Sequence, residues 1–261
     1  MSHHRPWPWP RILAHRGAGA LAPENTLAAI RHGYALGFRA IEIDARLTKD
    51  EVPVVIHDRT LERTTDGGGA VAEATAADIA RLDAGGWFGP QYRGEPVPTL
   101  AETIAYCRAQ GIWINLEIKR ATGQVARIGE VVARTAARLY ADLLRPGGGR
   151  AENVAVRAPL LSSFGRDALL AARAAAPDLP RGLLVDAVPA DWRDELQALG
   201  CVSLHADHER LTPALVRAVK DAGYWLFCYT VDDPGRASEI LGWGVDALCT
   251  DRIDLIGAEF A

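Results

Sequence analysis

Residues 202–230 read VSLHADHERLTPALVRAVKDAGYWLFCYT and contain the unit from which the fold can be predicted. Short apolar runs at 202–205 and 225–230 flank a stretch of helical period at 213–222, which ends before Gly223. Short apolar runs are typical of buried strands, and a glycine after the last periodic residue commonly ends a helix. This segment therefore predicts a strand, a helix and a second strand.

The same alternation extends along the whole chain. Helices, such as one over 124–144, are predicted between eight apolar runs, which are read as strands: 12–15, 40–45, 113–119, 159–163, 182–186, 202–205, 225–230 and 247–250. Eight strand–helix repeats in 261 residues are typical of a (β/α)₈ TIM barrel. The second and third strands lie far apart, so we expect one barrel domain over 1–261 with an insertion after the second strand, at roughly 49–98. A doubly wound open sheet is the alternative, but no glycine-rich phosphate loop follows the first strand.

The composition excludes several classes of protein. Hydrophobic residues make up 49% and charged residues 24% of the chain, which is typical of a folded domain and not of a disordered one. The net charge of −4 comes without a basic run, so no nucleic-acid partner is expected. No apolar run approaches the roughly 18 residues of a membrane span, so no membrane insertion is expected. The four cysteines are isolated from one another, which predicts free thiols and a cytoplasmic location.

Two predicted strands carry charged residues in an alternating pattern. Residues 42–44 read Glu-Ile-Asp and residues 117–119 read Glu-Ile-Lys. Positions i and i+2 of a strand point to the same side, so Glu42, Asp44 and Glu117 are expected to converge inside the barrel. Three converging carboxylates repel one another unless a cation lies between them. An all-oxygen cluster suits one divalent cation, Mg²⁺ first, with Ca²⁺ or Mn²⁺ as alternatives.

Histidines and cationic residues accompany these carboxylates. His15 ends the first predicted strand, and His57 ends a strand-like run at 52–57 in the insertion. Two imidazoles can remove a proton from a nucleophile and return one to a leaving group. Arg16 and Lys119 supply positive charge suited to an anion, so the set favours phosphoryl transfer over carbonyl chemistry. A salt-bridge network of these two cations with the three carboxylates is the structural alternative.

Five short motifs follow one another in a familiar order. They are His-Arg-Gly at 15–17, Pro-Glu-Asn-Thr at 23–26, Glu-Ile-Asp at 42–44, His-Asp at 57–58 and Glu-Ile-Lys at 117–119. This series resembles the signature of the glycerophosphodiester phosphodiesterase family, and the resemblance extends from Arg11 to the end of the chain. Within the family, the pattern looks most like that of the cytoplasmic enterobacterial members.

The resemblance implies metal-dependent hydrolysis of glycerophosphodiesters to sn-glycerol 3-phosphate and an alcohol. Carried over by motif, the residues divide into an acid/base pair, three metal ligands and two phosphate-binding cations: His15 and His57; Glu42, Asp44 and Glu117; Arg16 and Lys119. Tyr229 precedes Thr-Val where many members have tryptophan, and it is expected to line the substrate site. Glu24 and Asn25 are expected to brace the first loop, with Asn25 as the N-cap of the helix that follows. Direct contact of these two residues with the ligand is the alternative.

Two other functions are alternatives to this one. A related phospholipase-type phosphodiesterase would cleave lipid head groups at a membrane, for which no apolar anchor is evident in the sequence. A non-catalytic barrel that binds glycerophosphodiesters would not need both histidines, and both are present. The expected partner is therefore a small-molecule glycerophosphodiester.

Overall fold

The structure, a computed structural model, describes residues 6–120, 123, 125–144 and 158–260. The strands of this part of the chain are β1 (Ile12–Ala14), β2 (Ala40–Leu47), β3 (Pro53–Val55), β4 (Trp113–Ile118), β5 (Leu160–Ser163), β6 (Arg181–Val185), β7 (Ser203–Asp207), β8 (Trp225–Tyr229) and β9 (Ala247–Thr250). Eight of them pair in parallel in the order β1-β2-β4-β5-β6-β7-β8-β9, and β9 pairs back onto β1. Ala14 of β1 thus lies opposite both Ile41 of β2 and Thr250 of β9. The predicted (β/α)₈ barrel is confirmed.

Helices surround this barrel. The described α-helices are α1 (Leu27–Ala35), α2 (Ala76–Ile79), α3 (Leu100–Gln110), α4 (Val125–Leu139), α5 (Ala141–Leu144), α6 (Arg166–Ala175), α7 (Trp192–Leu199), α8 (Pro213–Asp221) and α9 (Pro234–Trp243). The predicted helix at 124–144 is divided at Tyr140 into α4 and α5, and its residue 124 lies outside the described residues. No helix of the described residues is long and apolar enough to cross a membrane.

Close helix packing depends on one glycine. Gly129 of α4 lies against α6, and a Cβ at this position would come within 2.2 Å of the Ala168 carbonyl oxygen. Gly242 of α9 is different, because a Cβ there would meet no atom within 4 Å. The α4–α6 interface therefore requires a residue without a side chain, whereas α9 does not.

The segment between β2 and α3 forms the insertion. Its strand β3 pairs antiparallel to the last three residues of β2, with Val55 opposite Ala45. A small apolar core of its own holds the rest of the segment: Val54, Ile56, Leu61, Val71, Ile79, Ala84 and Val97. His57 comes two residues after β3 and is thereby fixed near the C-terminal end of β2.

Tryptophans close the opposite end of the barrel. Trp113 and Trp225 are the first residues of β4 and β8. Trp9, from the segment before β1, stacks on Trp113 with ring centroids 4.6 Å apart, and it meets Trp225 edge-on at 5.2 Å. Trp7 packs edge-on against the same group. Large aromatic side chains fill the N-terminal end, which leaves the C-terminal rim as the open end.

One histidine lies within the barrel wall. His205 of β7 is fully buried, its Nε2 lies 2.9 Å from the Ser203 Oγ, and its ring packs 4.7 Å from the Phe227 ring. Burial lowers the pKa of His205 to about 3, so the ring is neutral in the folded protein at neutral pH.

Candidate active site

The three predicted carboxylates meet at the C-terminal rim. Glu42 and Asp44 lie on β2, and Glu117 lies on β4 directly opposite Asp44 in the strand register. One carboxylate oxygen from each residue lies within 4.8 Å of the others. The side chains of Glu42 and Asp44 are buried, and that of Glu117 is nearly so. The alternating pattern therefore places all three groups where the sequence predicted.

The carboxylates strongly affect one another's ionisation. Burial and the charge of Asp44 raise the pKa of Glu42 to about 8. The same two causes raise the pKa of Glu117. Burial opposes ionisation of Asp44 as well, but the nearby charges of Lys119 and Arg16 outweigh it and hold the pKa of Asp44 below its usual range. The cluster is thus short of positive charge on the side of Glu42.

The salt-bridge alternative accounts for part of this cluster. Lys119 Nζ lies 2.8 Å from Glu117 Oε1 and 3.3 Å from Asp44 Oδ1, and Arg16 Nε lies 3.6 Å from Asp44 Oδ2. Glu42 has no lysine or arginine side-chain nitrogen within 4.0 Å among the described residues; it accepts from the Arg16 backbone N–H and lies beside the His15 ring. When all three carboxylates are ionised, they face two cations and leave one negative charge, and the oxygen donors suit a hard divalent cation.

His15 is the first residue after β1 and is held from two sides. Its Nδ1 lies 2.7 Å from Asp251 Oδ1, and its Nε2 lies 3.7 Å from Glu42 Oε2. Burial opposes protonation of the ring, but the hydrogen bond to Asp251 and the charge of Glu42 outweigh it and raise the pKa of His15. The Asp251 contact fixes the ring so that Nε2 faces the carboxylates.

His57 approaches from the insertion and is oriented in the same way. Its Nδ1 lies 2.7 Å from Asp58 Oδ1, and burial lowers the pKa of His57. Arg63 Nε donates to Asp58 and Arg63 Nη1 donates to Glu24, which also accepts from Arg16 Nη1 at 2.8 Å. These ion pairs connect the loop of His57 to the loop after β1. Glu24 therefore braces that loop, as its motif suggested.

The prediction that Asn25 caps α1 is wrong. The N-cap is Thr26, whose hydroxyl accepts from the Ala29 N–H at 3.1 Å. Asn25 has a left-handed backbone (φ 60°) and is buried. Its Nδ2 donates to Asp44 Oδ2 at 2.8 Å, and its Oδ1 accepts from the Asp44 N–H at 3.2 Å. A buried carboxylate needs such donors, so the amide is used to hold Asp44 rather than the helix end.

Tyr229 ends β8 and lines the space below the carboxylates. Its hydroxyl donates to the Val185 carbonyl at 2.8 Å, and its ring packs edge-on against Phe164 at 5.9 Å. A cavity of about 40 Å³ is bounded by Tyr229, Phe164, His15 and Glu42, among others. The structure thus places Tyr229 in the wall of this cavity, and its contact with substrate stays a prediction.

Two residues that orient the histidines were missed by the sequence reasoning. Asp251 directly follows β9, 236 positions from His15. Arg63 lies in the insertion and contacts both the nearby Asp58 and the more distant Glu24. The position of Asp251 at a barrel strand end was the available signal, because barrel enzymes use these ends for chemistry. Arg63 carried no such signal.

The charged groups of the candidate active site meet at the carboxyl ends of parallel barrel strands, where barrel enzymes bind and convert their substrates. The fold and site therefore define a barrel enzyme with a cationic and carboxylate-rich centre. Residues 15–255 match the Glycerophosphoryl diester phosphodiesterase family, and the chain belongs to this family.

Individual relatives are similar over nearly the whole chain. A glycerophosphodiester phosphodiesterase of Caldanaerobacter subterraneus subsp. tengcongensis is 35% identical over 241 residues, which cover 92% of this chain and 93% of the relative. A putative glycerophosphodiester phosphodiesterase of Bacillus subtilis is 31% identical, with coverage of 94% and 96%. The enterobacterial resemblance stays a prediction.

Solved structures agree in fold. A phosphodiesterase of Oleispira antarctica, solved in complex with the product sn-glycerol-3-phosphate, has a TM-score of 0.84 and 34% identity, covering 95% of this chain and 96% of its own. A glycerophosphodiester phosphodiesterase of Agrobacterium tumefaciens has a TM-score of 0.75 and 29% identity, covering 94% and 97%.

Proposed function

We propose that the protein hydrolyses glycerophosphodiesters to sn-glycerol 3-phosphate and an alcohol, using one divalent cation bound by Glu42, Asp44 and Glu117. The observation that carries this proposal is the convergence of the three buried carboxylate oxygens within 4.8 Å. The relative solved with sn-glycerol-3-phosphate as product supports the choice of substrate. Mg²⁺ is the expected ion, with Ca²⁺ or Mn²⁺ as alternatives, because oxygen ligands suit all three.

Arg16 and Lys119 are proposed to bind the phosphate of the substrate. Both side chains are largely buried and lie beside the carboxylate cluster. Nearby Asp44 stabilises the charged form of each, and the pKa of each is raised although burial opposes it. When bound, the divalent cation would act as a Lewis acid on a phosphoryl oxygen. Fixed positive groups then stabilise the charge that shifts as the phosphorus–oxygen bond breaks.

His15 and His57 are proposed to move the protons. Each ring has Nδ1 fixed by a carboxylate, which leaves Nε2 to exchange a proton with the substrate. One histidine removes a proton from the nucleophile, which is either water or the neighbouring glycerol hydroxyl, and the other protonates the alcohol oxygen as its bond to phosphorus breaks. Attack by the glycerol hydroxyl gives a cyclic phosphate, which a water then opens with the same histidine pair. The overall reaction consumes one water and yields glycerol 3-phosphate and the free alcohol.

The test is the release of glycerol 3-phosphate from glycerophosphocholine, glycerophosphoethanolamine and glycerophosphoglycerol. We expect turnover that a chelator abolishes and that Mg²⁺, Ca²⁺ or Mn²⁺ restores, and no comparable cleavage of diacyl phospholipid vesicles. Glu42→Gln, Asp44→Asn and Glu117→Gln should each lose most activity, whereas Glu239→Gln on the outer face of α9 should not. Full activity in excess chelator would exclude the metal site, and preferred cleavage of vesicles would indicate the phospholipase alternative.

We also infer a reducing, cytoplasmic location. All four cysteines are free and buried, and burial raises the pKa of Cys107 and of Cys201 to about 12. Buried thiols of this kind are typical of proteins in reducing compartments. Fractionation of the source cells, with detection of the protein in the cytoplasmic fraction, tests the inference.

A further inference from the structure

A second, larger cavity adjoins the carboxylate cluster. It has a volume of about 530 Å³ and opens at the C-terminal rim. Glu117 and Lys119 of the candidate active site form part of its wall. The other charged residues that line it come from β2, the insertion, the end of β4 and the end of β6: Arg46, Arg59, Arg120 and Asp186.

This second cavity has an excess of positive charge. Apart from the two active-site residues, three arginines face one aspartate. Among the described residues, none of the three arginines has a carboxylate oxygen within 4.0 Å, and the ion pairs of this rim are made by Arg16, Arg63 and Lys119 instead. The arginines therefore keep their charge available for a ligand.

Arg46 is the buried member of this group. Its side chain comes from β2, two residues after Asp44, and the residue is only 9% exposed. Nε donates to the His57 carbonyl at 2.8 Å and Nη1 donates to the Arg120 carbonyl at 3.3 Å, while Nη2 has no acceptor among the described residues. Both acceptors are neutral, and the nearby carboxylates of Asp44, Glu117 and Asp58 act on Arg46 only from beyond 4.0 Å. A buried charge of this kind is stabilised when an anion binds beside it.

The remaining wall suits a small organic group. Phe164 and Val125 contribute apolar surface next to the arginines. The Arg120 guanidinium lies 5.4 Å from the centre of the Phe164 ring, close enough for a cation–π contact. The space is therefore apolar on one side and cationic on the other.

We propose that this cavity binds the alcohol half of the substrate and selects glycerophosphodiesters whose alcohol carries a second anionic group, either a phosphomonoester or a carboxylate. The inference rests on the proposed function. The glycerol 3-phosphate half is common to all such substrates and has no anion beyond the diester phosphate itself. A second anion must therefore come from the alcohol. A cationic head group such as choline would be repelled by the net positive charge of the same cavity.

Three diesters test the preference. Glycerophosphoglycerol is neutral in its alcohol half, its derivative with a phosphate on the terminal hydroxyl is anionic, and glycerophosphocholine is cationic. We expect kcat/KM to be about tenfold higher for the phosphorylated diester than for glycerophosphoglycerol, mainly through KM, and lowest for the choline diester. The preference should shrink as salt is added, because the cavity is open to solvent.

Arg59 and Arg120 are exposed, so replacing them tests the cavity without removing a buried group. Arg59→Gln and Arg120→Gln should each lower the ratio of the two kcat/KM values, phosphorylated over neutral, by about threefold or more. Arg217→Gln, at an exposed position on α8, removes the same charge away from the rim and should keep the wild-type ratio.

The outcomes separate the two proposals. Equal kcat/KM values for the phosphorylated and neutral diesters, or an unchanged ratio in the Arg59 and Arg120 variants, would overturn the anionic subsite and leave the phosphodiesterase function standing. Release of glycerol 3-phosphate from none of the three diesters would overturn both. A higher rate on the choline diester would show that the arginines do not select the alcohol.

Discussion

Arg16, at the residue scale, shows how the site depends on an unusual backbone. It has a left-handed conformation with φ 51°, which few residues other than glycine adopt without cost. This conformation turns its N–H toward Glu42 and its guanidinium toward Glu24 and Asp44. Such strain persists where the surrounding structure fixes it. Here the fixing contacts are those of the candidate active site.

Lys119 provides the first prediction at this scale. Lys119→Met keeps the aliphatic stem and removes the charge, so kcat/KM should fall by about 10²–10³-fold. Its present partners, Glu117 and Asp44, would then lack their nearest lysine, and the melting temperature should fall in chelator and recover with added Mg²⁺. Steady-state kinetics and thermal melts measure both effects. The exposed Lys49→Met serves as control, and a fully active Lys119 variant would mean that the lysine is only a structural partner.

The histidine pair provides the second prediction. His15→Ala and His57→Ala should each lose about 10²–10⁴-fold in kcat. They serve one proton-transfer cycle, so the double variant should lose far less than the product of the two losses. On a nitrophenyl diester, which needs no protonated leaving group, the variant that lacks the general acid should recover most of its rate.

Rates of the single and double variants on a glycerophosphodiester and on the nitrophenyl diester test these proton-transfer roles. The half-buried His32→Ala of α1 serves as control. Equal losses of both variants on both substrates would show that the rings position phosphate instead of moving protons.

Single residues also show what a sequence can and cannot predict. The positions of Glu42, Asp44 and Glu117 follow from the two-residue period of a strand, which is a local property. The contacts of Asn25 with Asp44 and of His15 with Asp251 are set by the barrel as a whole. No local rule relates residues 236 positions apart, so the residues that orient the site were not predicted.

At the scale of elements, the strands were predicted better than their connections. Each predicted barrel strand overlaps an observed one, because buried parallel strands are continuous apolar runs. The helix predicted to continue through Tyr140 is interrupted there. Tyr140 itself is buried against the core. The helical pattern of buried residues therefore continues in the sequence although the helix is interrupted. Periodicity records which side chains are buried but not where the backbone turns.

Packing between α4 and α6 gives a prediction at this scale. Gly129→Ala should lower the free energy of unfolding by about 1–3 kcal/mol, because the added methyl would collide with the Ala168 carbonyl oxygen. Gly242→Ala adds the same group to open space and should raise stability by about 0.5–1 kcal/mol through helix propensity. Urea denaturation of the two variants measures both. Equal effects of the two substitutions would contradict the close contact.

At the scale of the whole molecule, the two ends of the barrel differ in composition and role. Tryptophans fill the N-terminal end, and the charged residues collect at the C-terminal rim. The insertion adds the second histidine to this rim and is tied to the loop after β1 through Arg63 and Glu24. The chemistry is thus separated from the apolar core that keeps the barrel closed.

His205, inside that core, gives a prediction about acid stability. Its pKa is about 3 in the folded protein and near the ordinary 6.5 when unfolded. Between pH 6.5 and 4.5 the unfolded state therefore binds a proton that the folded state does not, and stability falls by about 2 kcal/mol from this group alone.

In His205→Asn, which can still hydrogen-bond Ser203, that part of the pH dependence should vanish. Urea denaturation of wild type and variant at pH 6.5 and 4.5 gives the difference. Identical losses of stability in both proteins would show that His205 does not titrate this way.

The barrel closes when β1 pairs with both β2 and β9, and this pairing affects how the protein folds during its synthesis. On the ribosome, residues 12–14 emerge before the other barrel strands, whereas residues 247–251 are translated after all of them. Until they appear, β1 lacks one neighbour and His15 lacks Asp251. The nascent chain therefore lacks a complete candidate active site until the ninth strand has been translated and has paired with β1.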